Sequence, residues 1–414
     1  MEPGTILKSQ GILSVRDLHL PNKRVLLRAD FNVPLDESLS ITDDSRIRAT
    51  LPTIEFIRKA DARLILCSHL GRPKGKKAPK YSLEPVGRRL AELLQCEVLV
   101  PDDCVGDAAI HLIANQRSNQ VILLENLRYH AGEEENSEEL ARKLADLCDV
   151  FVCDAFGCVH RAHASVSALP RLVPARGAGL LLEREIEVLT RLTTAPEGPY
   201  VALLGGAKVS DKIEVIESLL PLVNGLVIGG AMAYTFLAAQ GLDMGKSLVE
   251  RDHVGLAKHL LGRCAEKNLP VFLPVDHTVV TEIKADAVAV TKANGALGAD
   301  DIAVDIGPQT IALFTDVLGG RSSQLAGAPR TVLWNGPMGI FEMDAFAAGT
   351  MAVARAVAQS TATSVVGGGD SVAAVQKAGV TPMISHISTG GGASLEFLSG
   401  QPMPGIAALR GGRR

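Results

Sequence analysis

Short β-branched and aliphatic runs alternate with longer amphipathic stretches from one end of this 414-residue chain to the other, and no other feature limits the fold as much. A strand followed by a helix-forming segment, repeated many times, is the pattern of βα units around a parallel sheet. In the first half the strand-like runs are 25–27, 64–67, 121–124 and 150–153. In the second they are 201–204, 226–228, 271–273, 331–334 and 364–366. One hydrophobic core rarely serves a chain this long, so two sheets in two lobes are expected. Between the halves, 170–199 brackets a charged, helix-periodic piece at 182–192 with Pro and Gly, which reads as a stiff hinge helix.

Several function classes fall away on composition. Apolar residues make up 47% of the chain, but their longest runs are a few residues, so no membrane span is expected. Residues 1–10 lack an apolar core followed by a cleavage site, which leaves the cytoplasm as the expected compartment. Seven cysteines, with no Cys-x-x-Cys pair, are expected as free thiols without a disulfide framework or structural zinc site. A net charge of -4 gives no general pull toward nucleic acid or anionic membrane, so the expected partners are small molecules. The Gly-Arg tail after Leu409 is expected to be disordered.

Polar residues gather where first-half strands end: Arg28, Asp30 and Asn32, then His69 and Arg72, then Arg128, then His160, Arg161 and His163. Arg46 follows the capping-like Asp43-Asp44-Ser45. Ligands of open parallel sheets sit beyond the carboxyl ends of the strands, where these side chains can converge. Any one Arg reads equally well as a surface ion-pair partner; five at equivalent topological positions read as a site for a small ligand with more than one negative group. Lys74, Lys76, Lys77 and Lys80 read as a solvated basic loop. His160 and His163 lack well-placed metal-ligand companions, so phosphate contact or hydrogen bonding is the expectation. Cys158, in the same loop, reads as a small packed residue.

The second half offers backbone instead of arginine. The run Gly205-Gly206-Ala207-Lys208-Val209-Ser210-Asp211-Lys212 leads from a strand into a helix, and Asn335-Gly336-Pro337 turns toward Glu342, a candidate ribose acceptor or an exposed helix-start residue. Gly367-Gly368-Gly369-Asp370-Ser371 is again strand, glycine turn, helix, a geometry that offers N–H groups to phosphate oxygens. Asp370 either caps the helix or, beside a polyphosphate, holds Mg2+. Together the halves suit phosphoryl transfer. No catalytic base stands out, which favours a carboxylate acceptor, already ionised at neutral pH.

Arg28-Ala29-Asp30-Phe31-Asn32-Val33-Pro34, Ser68-His69-Leu70-Gly71-Arg72-Pro73, Glu125-Asn126-Leu127-Arg128 and His160-Arg161-Ala162-His163, with the three second-half runs and Ser388-Thr389-Gly390-Gly391-Gly392, resemble the phosphoglycerate kinase family from about 12 to 409. The resemblance implies an α/β fold of two Rossmann-like lobes with parallel sheets joined by a hinge helix. Residues 1–181 would bind phosphoglycerate, 182–193 would form the interdomain helix, 194–387 would bind nucleotide, and 388–414 would return to the first lobe. It further implies reversible transfer between 1,3-bisphosphoglycerate and ADP, giving 3-phosphoglycerate and ATP, with hinge closure and Mg2+, in a monomer. Asp30, Asn32, Arg46, His69, Arg72, Arg128 and Arg161 would bind the glycerate. Lys212, Glu342, Gly368, Gly369, Asp370 and Ser371 would bind nucleotide, Asp370 through the metal, while Arg46 and Lys208 would act on the transferring group. The alternative is a catalytically silent nucleotide-binding protein on the same fold. Three departures from the family pattern stand out: Cys158 and Val159 replace small residues before His160, Ala303 stands where the family often has Gly, and 403–409 lacks an acidic residue.

Overall fold

The computed structural model describes residues 4–117 and 119–413. The start of the 1–10 segment and the last residue of the Gly-Arg tail lie outside the described residues. Clustering of contacts divides the chain into two units, Met1–Thr190 with Pro402–Arg414, and Arg191–Gln401.

The first unit is built on β1 (Arg24–Ala29), β2 (Arg63–Cys67), β3 (Glu97–Leu99), β4 (Gln120–Leu123), β5 (Val150–Asp154) and β6 (Ala175–Ala178). They pair in the order β3-β4-β2-β1-β5-β6, all parallel. The inner strands are buried along nearly their whole length, as expected of a sheet covered on both faces. The helix Ser45–Lys59 supplies one cover by burying Ile47, Thr50, Ile54 and Ile57, a spacing of three and four that keeps them on one side. In this order the chain leaves β1 toward β2 and later returns to β5 on the other side. The exits of β1, β2 and β5 therefore flank a topological switch point.

The second unit contains β7 (Tyr200–Leu204), β8 (Gly225–Ile228), β9 (Val271–Phe272), β10 (Asp276–Val280), β11 (Val290–Ala293), β12 (Ile302–Ile306), β13 (Thr331–Asn335), β14 (Thr363–Gly367) and β15 (His386–Ile387). Six form a parallel sheet, β15-β14-β13-β7-β8-β9, whose switch point lies between β7 and β13. Trp334, Val201, Leu203, Val332 and Phe314 share its core. The other three form a separate antiparallel sheet, β11-β10-β12, so the two-sheet expectation misses one sheet.

Two further expectations need correction. Part of the stretch read as a connector is β6, an edge strand of the first sheet, and the connecting helix proper is Leu180–Thr194. Its first turn is tied by Asp154 Oδ1, which accepts the Leu181 and Leu182 N–H groups at 2.9 and 3.0 Å, donors that a helix start leaves without partners. The Gly-Arg tail is not loose. Gly411 N–H donates to the Gly11 carbonyl at 3.0 Å and Arg413 N–H to the Pro174 carbonyl at 2.9 Å. The adjoining helix Pro404–Leu409 docks by the Gly405 N–H on the Val159 carbonyl at 2.9 Å, a backbone contact that needs no acidic side chain. Among the described residues, no helix is long and apolar enough to cross a membrane.

Candidate functional site

In the first unit, β1 ends at Ala29 and delivers Asp30, 8% exposed, whose Oδ2 accepts Arg46 Nη1 at 2.6 Å. Asp30 Oδ1 lies 4.0 Å from His69 Nδ1 at the exit of β2. Asn32 Oδ1 accepts the Gly71 N–H at 2.8 Å, and the Gly71 carbonyl accepts Arg128 Nη1 at 2.8 Å. Residues from three strand exits are thus joined side chain to backbone.

Arg28 and residues outside the expected set hold this basin together. Arg28, 1% exposed, donates to Ser165 Oγ at 2.8 Å and places Nη2 3.2 Å from His69 Nδ1. Glu133, fully buried, accepts Ser165 N–H and Oγ–H at 2.9 and 2.5 Å. Asn126 donates to the Leu70 and Tyr81 carbonyls, both at 2.8 Å, and accepts the Arg128 N–H at 3.0 Å, clamping the His69 loop to the Arg128 turn. Glu133 lies among other acidic residues in Ala131–Glu134, so the sequence carries no signal that sets it apart; its burial does.

The arginines set the protonation of the basin's histidines together with burial. Burial and the nearby Arg28, Arg128 and Arg46 hold His69 well below the ordinary histidine range. Burial, Arg128, Arg28 and Arg161 bring His163 down to about 4. Both imidazoles are neutral at pH 7 and offer hydrogen bonds, so the positive charge comes from the arginines. Arg161 is exposed, with Nε 3.1 Å from His160 Nε2. Arg72 is exposed on its loop and joins none of these bonds. Asp44 makes no capping bond to the helix it precedes; it pairs with Arg48 and Arg89, each at 2.8 Å. Burial pushes the Cys158 thiol up to about 12, in keeping with a packed, inert residue.

The second unit assembles its candidate site from backbone. At the switch point the Gly205 N–H donates to the Asn335 carbonyl at 2.9 Å and the Gly206 N–H to the Pro337 carbonyl at 2.8 Å. The two turns approach so closely that a Cβ on Gly336, whose φ is +99°, would overlap the Gly205 carbonyl. Trp334 Nε1 donates to the Gly336 carbonyl at 2.8 Å, and Gly336 N–H donates to Ser371 Oγ at 2.5 Å. Ser371 is fully buried and faces this turn, so it joins the turns to each other.

Lys212, 8% exposed, donates Nζ to Asn335 Oδ1, and Asn335 Nδ2 donates to the Gly367 carbonyl at 2.8 Å. Burial lowers Lys212 to about 8 against the opposing pull of Asp211 and Asp370. Asn335 is the hub of the site; its place at a strand end among glycines was its only signal. The helix Gly369–Lys377 begins after Gly368, with Gly369 and Asp370 exposed and no side-chain cap bond. Asp370 lies in the first turn of this helix, and its carboxylate, close enough to act on Lys212, suits a hard cation shared with phosphate oxygens. Lys208 and Glu342 are both exposed. The Lys208 loop is pinned by Glu250, which accepts the Val209 and Ser210 N–H groups at 2.5 and 3.1 Å and the Ser210 hydroxyl at 2.6 Å.

Comparison with known proteins bears on this arrangement. A family model described as Phosphoglycerate kinase matches residues 15–401. The chain is 55% identical over 406 residues to a phosphoglycerate kinase of Acidobacterium capsulatum, covering 96% of this chain and 98% of that protein. It is 52% identical over 405 residues to one of Koribacter versatilis, with the same coverage of 96% and 98%. The solved structure of phosphoglycerate kinase from Coxiella burnetii superposes with a TM-score of 0.84 at 42% identity, covering 96% of this chain and 98% of that one. The chain belongs to the phosphoglycerate kinase family.

Proposed function

We propose that the chain catalyses reversible phosphoryl transfer from 1,3-bisphosphoglycerate to ADP, giving 3-phosphoglycerate and ATP. The observation that carries this reading is the pairing of an arginine basin, whose two histidines burial and the arginines keep neutral, with a glycine cradle holding a buried lysine and an open carboxylate. The first suits a small polyanion and the second a nucleotide diphosphate or triphosphate.

We assign the glycerate to Asp30, Asn32, Arg46, His69, Arg72, Arg128 and Arg161. Asp30 holds Arg46 by one Nη and leaves its other N–H groups to face an anion. We assign nucleotide to Lys212, Glu342, Gly368, Gly369 and Asp370, with Ser371 acting behind the cradle through the Gly336 N–H. Asp370 would hold Mg2+, whose charge, when bound, offsets that of the nucleotide phosphates. In the ATP-forming direction a terminal oxygen of ADP attacks the 1-phosphorus of the acyl phosphate, and the bond from phosphorus to the carboxyl oxygen breaks. The leaving carboxylate keeps the electron pair and needs no proton, in keeping with a site that has no general base. Arg46 and Lys208 stabilise the charge on the phosphoryl group in flight. In-line transfer requires the reacting atoms within about 3–3.5 Å, so we assign the helix Leu180–Thr194 as the hinge on which two loaded units approach. The reading extends to a cytoplasmic monomer acting on small molecules, with neither nucleic acid nor membrane as partner.

A coupled assay with 3-phosphoglycerate and Mg-ATP tests it. Turnover is expected; ligand binding without turnover would favour the silent alternative.

A further inference from the structure

Among the described residues, two groups of metal-ligating side chains lie in the first unit. Asp30, His69 and Cys158 bring their ligand atoms within 4.8 Å of one another, and so do Asp103, Cys104 and His130. Their surroundings differ in sign. In the first group Arg28 Nη2 lies 3.2 Å from His69 Nδ1 and 3.6 Å from Cys158 Sγ, so a divalent cation there would meet a buried guanidinium that cannot lose its charge.

The second group faces carboxylates. Asp103 Oδ1 lies 2.6 Å from His130 Nε2 and accepts the Cys104 N–H at 2.7 Å, which fixes the carboxylate beside both the imidazole and the Cys104 backbone. The fully buried Glu133 adds negative potential at Cys104. The cations whose fields reach Asp103 are engaged elsewhere: Lys77 donates to the Asp102 carbonyl at 2.8 Å and Lys143 pairs with Glu139 at 2.7 Å. Cys104 is fully buried, while the His130 and Asp103 side chains are 33% and 23% exposed. The soft ligand lies at the bottom and the harder ones at a mouth that water reaches.

We propose that Asp103, Cys104 and His130 form a binding site for a zinc-class divalent cation, with water as the fourth ligand. Thiolate, imidazole and carboxylate together suit zinc better than magnesium or calcium. On binding, Cys104 gives its Sγ proton to solvent, and the His130 proton moves from Nε2 to Nδ1 as Nε2 turns to the metal. His130 closes the turn Leu127–Tyr129, so an occupied site would tie the Asp103 loop to the turn that carries Arg128.

Titration of the metal-free full chain with Co2+, followed by absorption, tests the site. One equivalent is expected to produce a thiolate-to-cobalt charge-transfer band and to release protons into weak buffer, and added Zn2+ should abolish the band. Cys158→Ala should keep the band, Cys104→Ala should remove it, and His130→Ala should weaken cobalt binding by at least about tenfold. Should Cys104→Ala fail to fold, the partly exposed His130 carries the same test. No band in the unaltered chain, a band that survives Cys104→Ala, or one lost in Cys158→Ala would overturn the proposal.

Discussion

At the switch point of the first sheet, strands end in polar and charged side chains hydrogen-bonded to one another or to backbone: Asp30 to Arg46, Asn32 to the Gly71 N–H, Arg128 to the Gly71 carbonyl. At that of the second they end in glycine turns, one donating the Gly205 and Gly206 N–H groups to the Asn335 and Pro337 carbonyls of the other, with a buried lysine behind them. The same topology is finished by side-chain charge in one unit and by backbone shape in the other. The chemistry of the assigned ligands fits the division. A small glycerate presents its charges at two ends, which several arginine forks can meet from different directions. A polyphosphate chain presents a continuous edge, which closely packed backbone can follow.

The comparison can be broken by substitution. The largest effect is expected at Lys208, assigned to the group in flight rather than to either resting ligand: Lys208→Ala should lower kcat by about 10²–10³-fold with little change in either KM. A large rise in one KM instead would make Lys208 a binding residue. Gly336→Ala should come next, because the new Cβ meets the Gly205 carbonyl and φ is +99°. Calorimetry should show nucleotide binding weakened and glycerate binding kept, with a stability loss of about 1–3 kcal/mol in thermal melts. Arg161→Ala removes one exposed guanidinium and should raise the KM for 3-phosphoglycerate by about tenfold, the worth of one hydrogen bond to a charged group.

Two smaller effects concern protons. Lys212 titrates near 8, and bound phosphates favour its charged form, so nucleotide binding at pH 8 should take up about half a proton. Calorimetry in buffers of different ionisation enthalpy measures this; proton release would contradict the assignment. His163 is held near 4 by burial and arginines. An anion that offsets those arginines should raise that value, visible by NMR as an upward move of the His163 titration when 3-phosphoglycerate is added.

Strand exits were legible because arginine, aspartate and asparagine at the end of an apolar run are hard to explain by packing alone. Asp30, Arg46, His69 and Arg128 could be picked out as separate points, while the clamps between them could not. Asn126 and Glu133 act through loops distant in sequence. What the run of glycines could not tell is that the buried Ser371 hydroxyl accepts the Gly336 N–H and so ties two turns together. In the antiparallel sheet, β11, Val290–Ala293, escaped because it is mostly exposed and lacks an apolar run. The strand β6 escaped because Ala175–Ala178 is built of small residues and one arginine. Periodicity reads burial, and both strands lie at sheet edges where burial is weakest.

The central claim is that each ligand is held by one unit through its own means. Separate calorimetric titrations of 3-phosphoglycerate and of Mg-ADP into Arg46→Ala and Asp370→Asn test it most directly. The account predicts that Arg46→Ala weakens glycerate binding by at least about tenfold and leaves nucleotide binding within about twofold, and that Asp370→Asn does the converse. Equal weakening of both ligands by either variant would contradict it.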